Sequence, residues 1–311
     1  MIEVVRDKKN QLAMMAGEME SPEQVEAVIK SAIEHQIQRL DLSFSSCYRS
    51  TIPDSIGEIS SLKELTFYSK YCNVYGFQEL SSSIGKLSNL TSLTISDAYY
   101  GPENLPESIG CLANLEDLYI CSCSKLKELP TSIGQLKKLK RLELRETLFS
   151  LSSFEKLPDT IGQLTSLRKL IVDSTVIHSL PDTLGDLSDL DYLKITGNSK
   201  LHCLPDSIGK LHQLTVLILE GGYLTSLPES IGELKNLREL VANSNQLTQL
   251  PESIGNLPRL ENLEIQDNQL SGLPESIGKL STLRNDIYLY KNPINYLPDS
   301  ILQLPVEVIY Q

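Results

Sequence analysis

The stretch Leu227-Pro-Glu-Ser-Ile-Gly-Glu-Leu-Lys-Asn-Leu-Arg-Glu-Leu-Val-Ala242 decides the fold. Its opening phrase returns as Leu250-Pro-Glu-Ser-Ile-Gly255 and again as Leu273-Pro-Glu-Ser-Ile-Gly278. The apolar triplet Leu237, Leu240, Ala242 returns as Leu260, Leu263, Ile265. A fixed period this short means one supersecondary unit per repeat, with the units stacked as a solenoid. Such a chain displays surface rather than enclosing a catalytic pocket.

Working outward, the glycines give the register: Gly57, Gly85, Gly110, Gly134, Gly162, Gly185, Gly209, Gly232, Gly255 and Gly278. From Gly162 onward they stand 23 or 24 residues apart, and the spacing stretches to 28 between Gly57 and Gly85 and between Gly134 and Gly162. A stacked repeat absorbs extra residues only in its loops, so those two units carry enlarged edges. Ile301-Leu302 closes the series without a glycine.

Within one unit, Leu263 and Ile265 alternate with Glu264, the pattern of a short half-buried strand. Asn268 then falls where the chain turns, with an amide suited to bonding neighbouring turns. Asn198, Asn245 and Asn292 hold the same position; Cys123, Thr147 and Thr175 hold it earlier, so the ladder is imperfect in the N-terminal half. In the returning half, proline sets the entry dihedral. The serine or threonine is expected to cap a short helical turn, with the preceding acid at its positive end. Ile254, Leu257 and Leu260 then face the core, each worth ~1.5–3 kcal/mol when buried.

Ser21-Pro22-Glu23-Gln24 reads as a capping box with proline at the first helical position. The stripe Val25, Val28, Ile29, Ala32, Ile33 predicts a helix to about His35, which delivers a strand at residues 37–42. The expected organisation is an N-terminal helical cap over residues 1–36 and a solenoid of about eleven repeats over 37–311. The last residues offer one further strand and look thinly capped.

The net charge of −12 argues against binding an unselected nucleic-acid backbone or an anionic membrane, since either needs a basic field. The N-terminus lacks the apolar run of a signal peptide, and no run approaches the roughly 20 apolar residues of a membrane span. Cys47, Cys72, Cys111, Cys121, Cys123 and Cys203 are scattered and read as reduced thiols of a cytoplasmic protein. No metal site is expected, because His35, His178, His202 and His212 lie in separate segments away from Cys121 and Cys123. Nothing resembles a nucleotide-binding loop, so no cofactor and no enzymatic activity are expected.

The pattern L-x-x-L-x-L-x-x-N-x-L followed by L-P-x-S-I-G-x-L resembles the leucine-rich repeat family from about residue 37 to 311. The repeat length and the Pro-x-Ser-Ile-Gly phrase look like its intracellular, Ras-suppressor-like class and bacterial relatives. The resemblance implies an α/β solenoid: a right-handed superhelix with a concave parallel β-sheet and short helical or 3-10 turns on the convex side. It also implies a protein partner.

Residues flanking the inward leucines point into the concavity and form columns. Ile171, Tyr192, Val216, Ile218 and Val241 fall on consecutive strands as an apolar set, with Arg141, Arg145, Arg168 and Lys169 as a neighbouring basic group. Pairing of those cations with Glu143, Glu146 and Asp173 is the simpler account of the charges. A second candidate is aromatic: Phe44, Tyr48, Tyr68, Tyr71, Tyr75, Phe77, Tyr99, Tyr100 and Tyr119 bring half the aromatic side chains into a quarter of the chain. Tyrosine gives large contact area at low entropic cost. Phe67 occupies an inward leucine position and belongs to the core.

The expected function is therefore a non-catalytic protein–protein interaction scaffold using its concave face and an N-terminal tyrosine-rich edge. A monomer is expected, with end-to-end contact at the C-terminus as the variation. The alternative is a secreted bacterial effector, or the substrate-recognition part of a larger enzyme such as a ubiquitin ligase.

Overall fold

The computed structural model describes residues 2–9, 11–44, 51–69, 77–96, 101–146 and 152–310. The chain forms two compact units, Met1–Leu164 and Thr165–Gln311. Each is an α/β solenoid in which one short strand and one 3-10 turn make up a repeat.

In the first unit a hairpin precedes the repeats. β1 (Ile2–Arg6) pairs antiparallel with β2 (Leu12–Met19). The sequence pattern shows no strand there, because the side chains of 12–19 alternate too weakly for a period of two to stand out. Helix α1 (Pro22–Glu34) follows, with Ser21 as its N-cap accepting from the Gln24 amide. Gln24 closes the reciprocal bond one residue earlier than a capping box predicts, its side-chain oxygen accepting from the Glu20 amide at 2.6 Å. Val25, Val28, Ile29 and Ala32 are buried under the helix. β3 (Arg39–Phe44) adds in parallel to β2, and β4 (Glu64–Ser69), β5 (Ser92–Ser96), β6 (Asp117–Cys121) and β7 (Arg141–Arg145) continue in chain order.

In the second unit β8 (Lys169–Asp173), β9 (Tyr192–Thr196), β10 (Val216–Ile218), β11 (Glu239–Val241) and β12 (Asn262–Glu264) pair in parallel and in order. The parallel ladder stops at β12 and does not run on through Asp286 and Tyr288. β13 (Ile287–Tyr288) pairs instead with β14 (Val308–Ile309), in a separate two-stranded sheet. The cause lies in the sequence: Leu283 and Ile287 are four residues apart where the other repeats place three, and the extra residue throws the strand out of register.

The returning half departs from expectation in one respect. Proline, not serine, is the N-cap residue of the 3-10 turn, as at Pro228 with φ −71° and ψ 153°. The serine lies inside the turn, and the buried hydroxyls of Ser207, Ser230, Ser253 and Ser276 have no hydrogen-bond partner among the described residues. Serine acts as the cap where proline is replaced: Ser81 accepts from the Ser83 amide at 3.0 Å. The acid lies in the first turn of its own 3-10 helix, as expected, and also serves the next repeat. Glu229 accepts from the Ser253 amide at 3.0 Å, Glu252 from the Ser276 amide at 3.2 Å, and Glu107 from the Ser132 amide at 2.9 Å. These amide bonds hold the Glu107 carboxyl below the ordinary carboxylate range.

The polar ladder forms as expected. Asn268 donates to the carbonyls of Ala242, Ile265 and Gln266 and accepts from the Leu247 amide at 3.0 Å. Asn245 does the same for its own pair of repeats. Thr175 donates to Asn198, and Cys123 points its thiol at the carbonyls of Ile95 and Cys121. Thr147 lies outside the described residues. The residue before each ladder position turns left-handed: Ser122, Ser174, Gly197, Ser244, Asp267 and Lys291 all have positive φ.

Candidate functional site

The open face of the second unit's strands β8–β12 is set by register. Lys169, Tyr192, Val216, Glu239 and Asn262 stand side by side, and so do Ile171, Lys194, Ile218, Val241 and Glu264. All five of the expected apolar side chains therefore lie in these two columns, but their accessibility differs. Ile171 is 1% exposed and Val241 6% exposed, so both are packed beneath their neighbours and offer little area. Tyr192, Val216 and Ile218 are half-buried and make the accessible centre. Lys169 places its ammonium 5.1 Å from the centroid of the Tyr192 ring, within cation–π range. Arg168 sits beside this face, exposed, immediately before β8.

The first unit's open face is polar and charged. Arg141 makes a two-pronged contact with Asp117 across the strands, at 2.5 and 2.8 Å, and lies 5.8 Å from the centroid of the Tyr119 ring. The bond to Asp117 raises the basicity of the Arg141 guanidinium. Arg145 pairs with Glu143 on its own strand at 2.9 Å. Both arginines are thus matched by acids, as the simpler account of the charges has it, although Arg141 chooses Asp117 rather than Glu143.

Of the aromatic candidates, Tyr68 lies on β4 and Tyr119 on β6, both half-buried. Burial, then the nearby Asp117 carboxylate, pushes the Tyr119 phenol pKa up. Tyr71, Tyr75, Tyr99 and Tyr100 lie outside the described residues, as do Tyr48, Cys47 and Cys72. Phe44 and Phe77 are core residues rather than surface: with Phe67 they form a buried cluster with centroid separations of 5.1 to 6.3 Å. Phe154, in the second enlarged loop, is also buried. Among the described residues no group of three or more His, Cys, Asp or Glu is arranged to hold a metal, and no helix is long and apolar enough to cross a membrane.

Lys194, Glu239 and Glu264 stand in the same two columns but in neither candidate set; reading the columns lengthwise for charge singles them out.

The model of the leucine-rich repeat region matches residues 120–200 and 182–285, and that of the R13L1/DRL21 repeats matches residues 77–147. The chain belongs to the leucine-rich repeat family. No curated protein sequence matches it. Among solved structures, this leucine-rich repeat protein is similar to the ectodomain of the Arabidopsis thaliana receptor kinase GASSHO1/SCHENGEN3, solved with CASPARIAN STRIP INTEGRITY FACTOR 2. The two are 26% identical with a TM-score of 0.61, over 88% of this chain and 34% of that ectodomain chain. It is likewise similar to PEPR1 in its complex with AtPEP1, at 26% identity and a TM-score of 0.60, over 99% of this chain and 46% of that one. The chain therefore spans less than half the length of either of these two solved chains. The repeat domain of the type III effector XopL shares the fold at 21% identity and a TM-score of 0.55, over 92% of this chain and 82% of that one. As a family, leucine-rich repeat regions are protein-interaction scaffolds, and this chain is one in that general sense.

Proposed function

We propose that this protein is a non-catalytic recognition scaffold that takes a protein partner on the open face of the second unit. The observation that supports it is the adjacency of Tyr192, Val216 and Ile218 on β9 and β10, half-buried on a sheet face rather than beneath it. Isolated exposed apolar residues need no explanation, whereas side chains held in register on neighbouring strands make one surface. An aromatic ring next to aliphatic side chains is the composition of an interface centre. The GASSHO1/SCHENGEN3 ectodomain and PEPR1, which resemble this chain, were each solved with a partner, which agrees with such a use of the fold. The thiols of Cys111 and Cys203, free among the described residues, suit a reducing compartment such as the cytoplasm.

The test combines Tyr192→Ala, Ile218→Asp and Arg168→Glu in one variant and compares it with the unaltered chain in affinity capture read by quantitative mass spectrometry. Loss of specific captured proteins, with the unfolding midpoint nearly unchanged, is expected. Retained capture would shift the contact to the first unit, where Tyr68 and Tyr119 lie on the sheet.

A further inference from the structure

Charge is arranged differently on the two sheet faces. In the first unit the cations have their acids: Lys9 pairs with Glu64, Arg39 with Asp41, Arg141 with Asp117 and Arg145 with Glu143. In the second unit the half-buried side chains of Lys194 and Glu239 make no ion pair or side-chain hydrogen bond with any described residue. Glu264 is held by two side-chain amides, Asn243 at 2.8 Å and Asn262 at 2.9 Å, and by no cation. Its carboxylate is thereby oriented but not neutralised.

The order along the face is also regular. One column reads Lys169, Tyr192, Val216, Glu239, and its neighbour, displaced by one strand, reads Lys194, Ile218, Val241, Glu264. Each runs from a lysine, across two apolar or aromatic side chains, to a glutamate three strands on. Three strand steps span about 14 Å, and four residues of an extended chain span about 13 Å. Side chains of an extended chain alternate, so residues i, i+2 and i+4 face the same way.

Building on the recognition reading above, we propose that the second unit's face binds an extended polypeptide segment lying across the strands. The segment carries an acid, an apolar residue and a base at alternate positions. Its acid meets the lysine end, its apolar side chain covers Val216 and Ile218, and its base meets Glu239 and Glu264. The face carries both signs, so a uniformly charged segment gains at one end and loses at the other. Lys194 and Glu239, half-buried and without counter-ions among the described residues, are where an arriving ion pair gains most over water.

The probes are acetylated, amidated peptides: Glu-Ser-Leu-Ser-Lys, its all-lysine and all-glutamate counterparts at the two ends, and neutral Gln-Ser-Leu-Ser-Gln. Binding is read at low ionic strength from the methyl resonances of Val216 and Ile218 in the full chain. The mixed-charge peptide should bind about tenfold more tightly than the other three, the scale of two partly screened ion pairs. Lys194→Glu should transfer the preference to Lys-Ser-Leu-Ser-Lys, and Glu239→Lys should transfer it to Glu-Ser-Leu-Ser-Glu. Equal binding of the neutral peptide, an unchanged ranking in either variant, or no methyl shift with any peptide overturns the proposal. If capture of a protein partner still depends on Tyr192 and Ile218, recognition at this face stands and the charge pattern alone is wrong. If capture survives the triple variant as well, both readings fall.

Discussion

Gly232 lies so close to Ser253 of the next repeat that an added methyl group would stand 2.5 Å from the Ser253 carbonyl oxygen and 2.7 Å from its β-carbon. The glycine in the repeated phrase is therefore a spacing device: without a side chain, consecutive 3-10 turns stack in van der Waals contact. Gly232→Ala is expected to cost roughly 1–3 kcal/mol, the range for forcing extra atoms into packed structure. Urea unfolding measures it. Leu302 occupies the equivalent place in the last turn and is 84% exposed, so Leu302→Ala should leave the midpoint unchanged. A negligible effect of Gly232→Ala would show that the turns can separate freely.

The serine of the same phrase yields a prediction of opposite sign. The hydroxyl of Ser253 is buried without a hydrogen-bond partner among the described residues, while its backbone amide is satisfied by Glu229. Ser253→Ala removes the orphan group and keeps the β-carbon in contact with Gly232. The variant should be more stable by roughly 1 kcal/mol, the scale of a buried polar group left unmade. A drop in its thermal midpoint would mean that the hydroxyl has a partner in solution.

Asn268 satisfies three carbonyls and one amide in two repeats, and it is 1% exposed. Asn268→Leu preserves size but strands those groups, at a cost of at least about 2 kcal/mol. Faster hydrogen exchange at the Leu247 amide should accompany it. Thr175→Ala should cost less, because Asn198 retains the carbonyls of Val172 and Thr196.

The Glu107 carboxyl is held below its ordinary value of 4.5, first by the Ser132 amide. A depressed carboxylate contributes stability above its unfolded pKa and loses it as pH falls through the folded one. Glu107→Gln should therefore be less stable than the parent at neutral pH. The gap should begin to close below pH 4.5 and vanish once the parent carboxyl is protonated. Thermal melts across that range decide it; a gap independent of pH would remove ionisation from the account. The group is solvent-exposed, so the effect is small and weakens with salt.

The repeat is legible in the chain because stacked units impose the same local demands many times over. Leucine must recur where the core lies, glycine where turns touch, asparagine where carbonyls would be orphaned. The strand columns follow from the same arithmetic, so even the neighbours of Ile218 could be named in advance. Where a residue breaks the count, as between Leu283 and Ile287, the strand leaves its expected neighbour. What pattern alone could not decide is how much of a side chain solvent reaches and which charges meet. Ile171 and Ile218 share a column, yet Ile171 is buried and Ile218 half-exposed. Arg141 pairs with an acid across one strand step, and Lys194 makes no ion pair with any described residue. Accessibility and ion pairing depend on the reach and rotamers of side chains around a site, which belong to the folded surface and leave no period in the sequence.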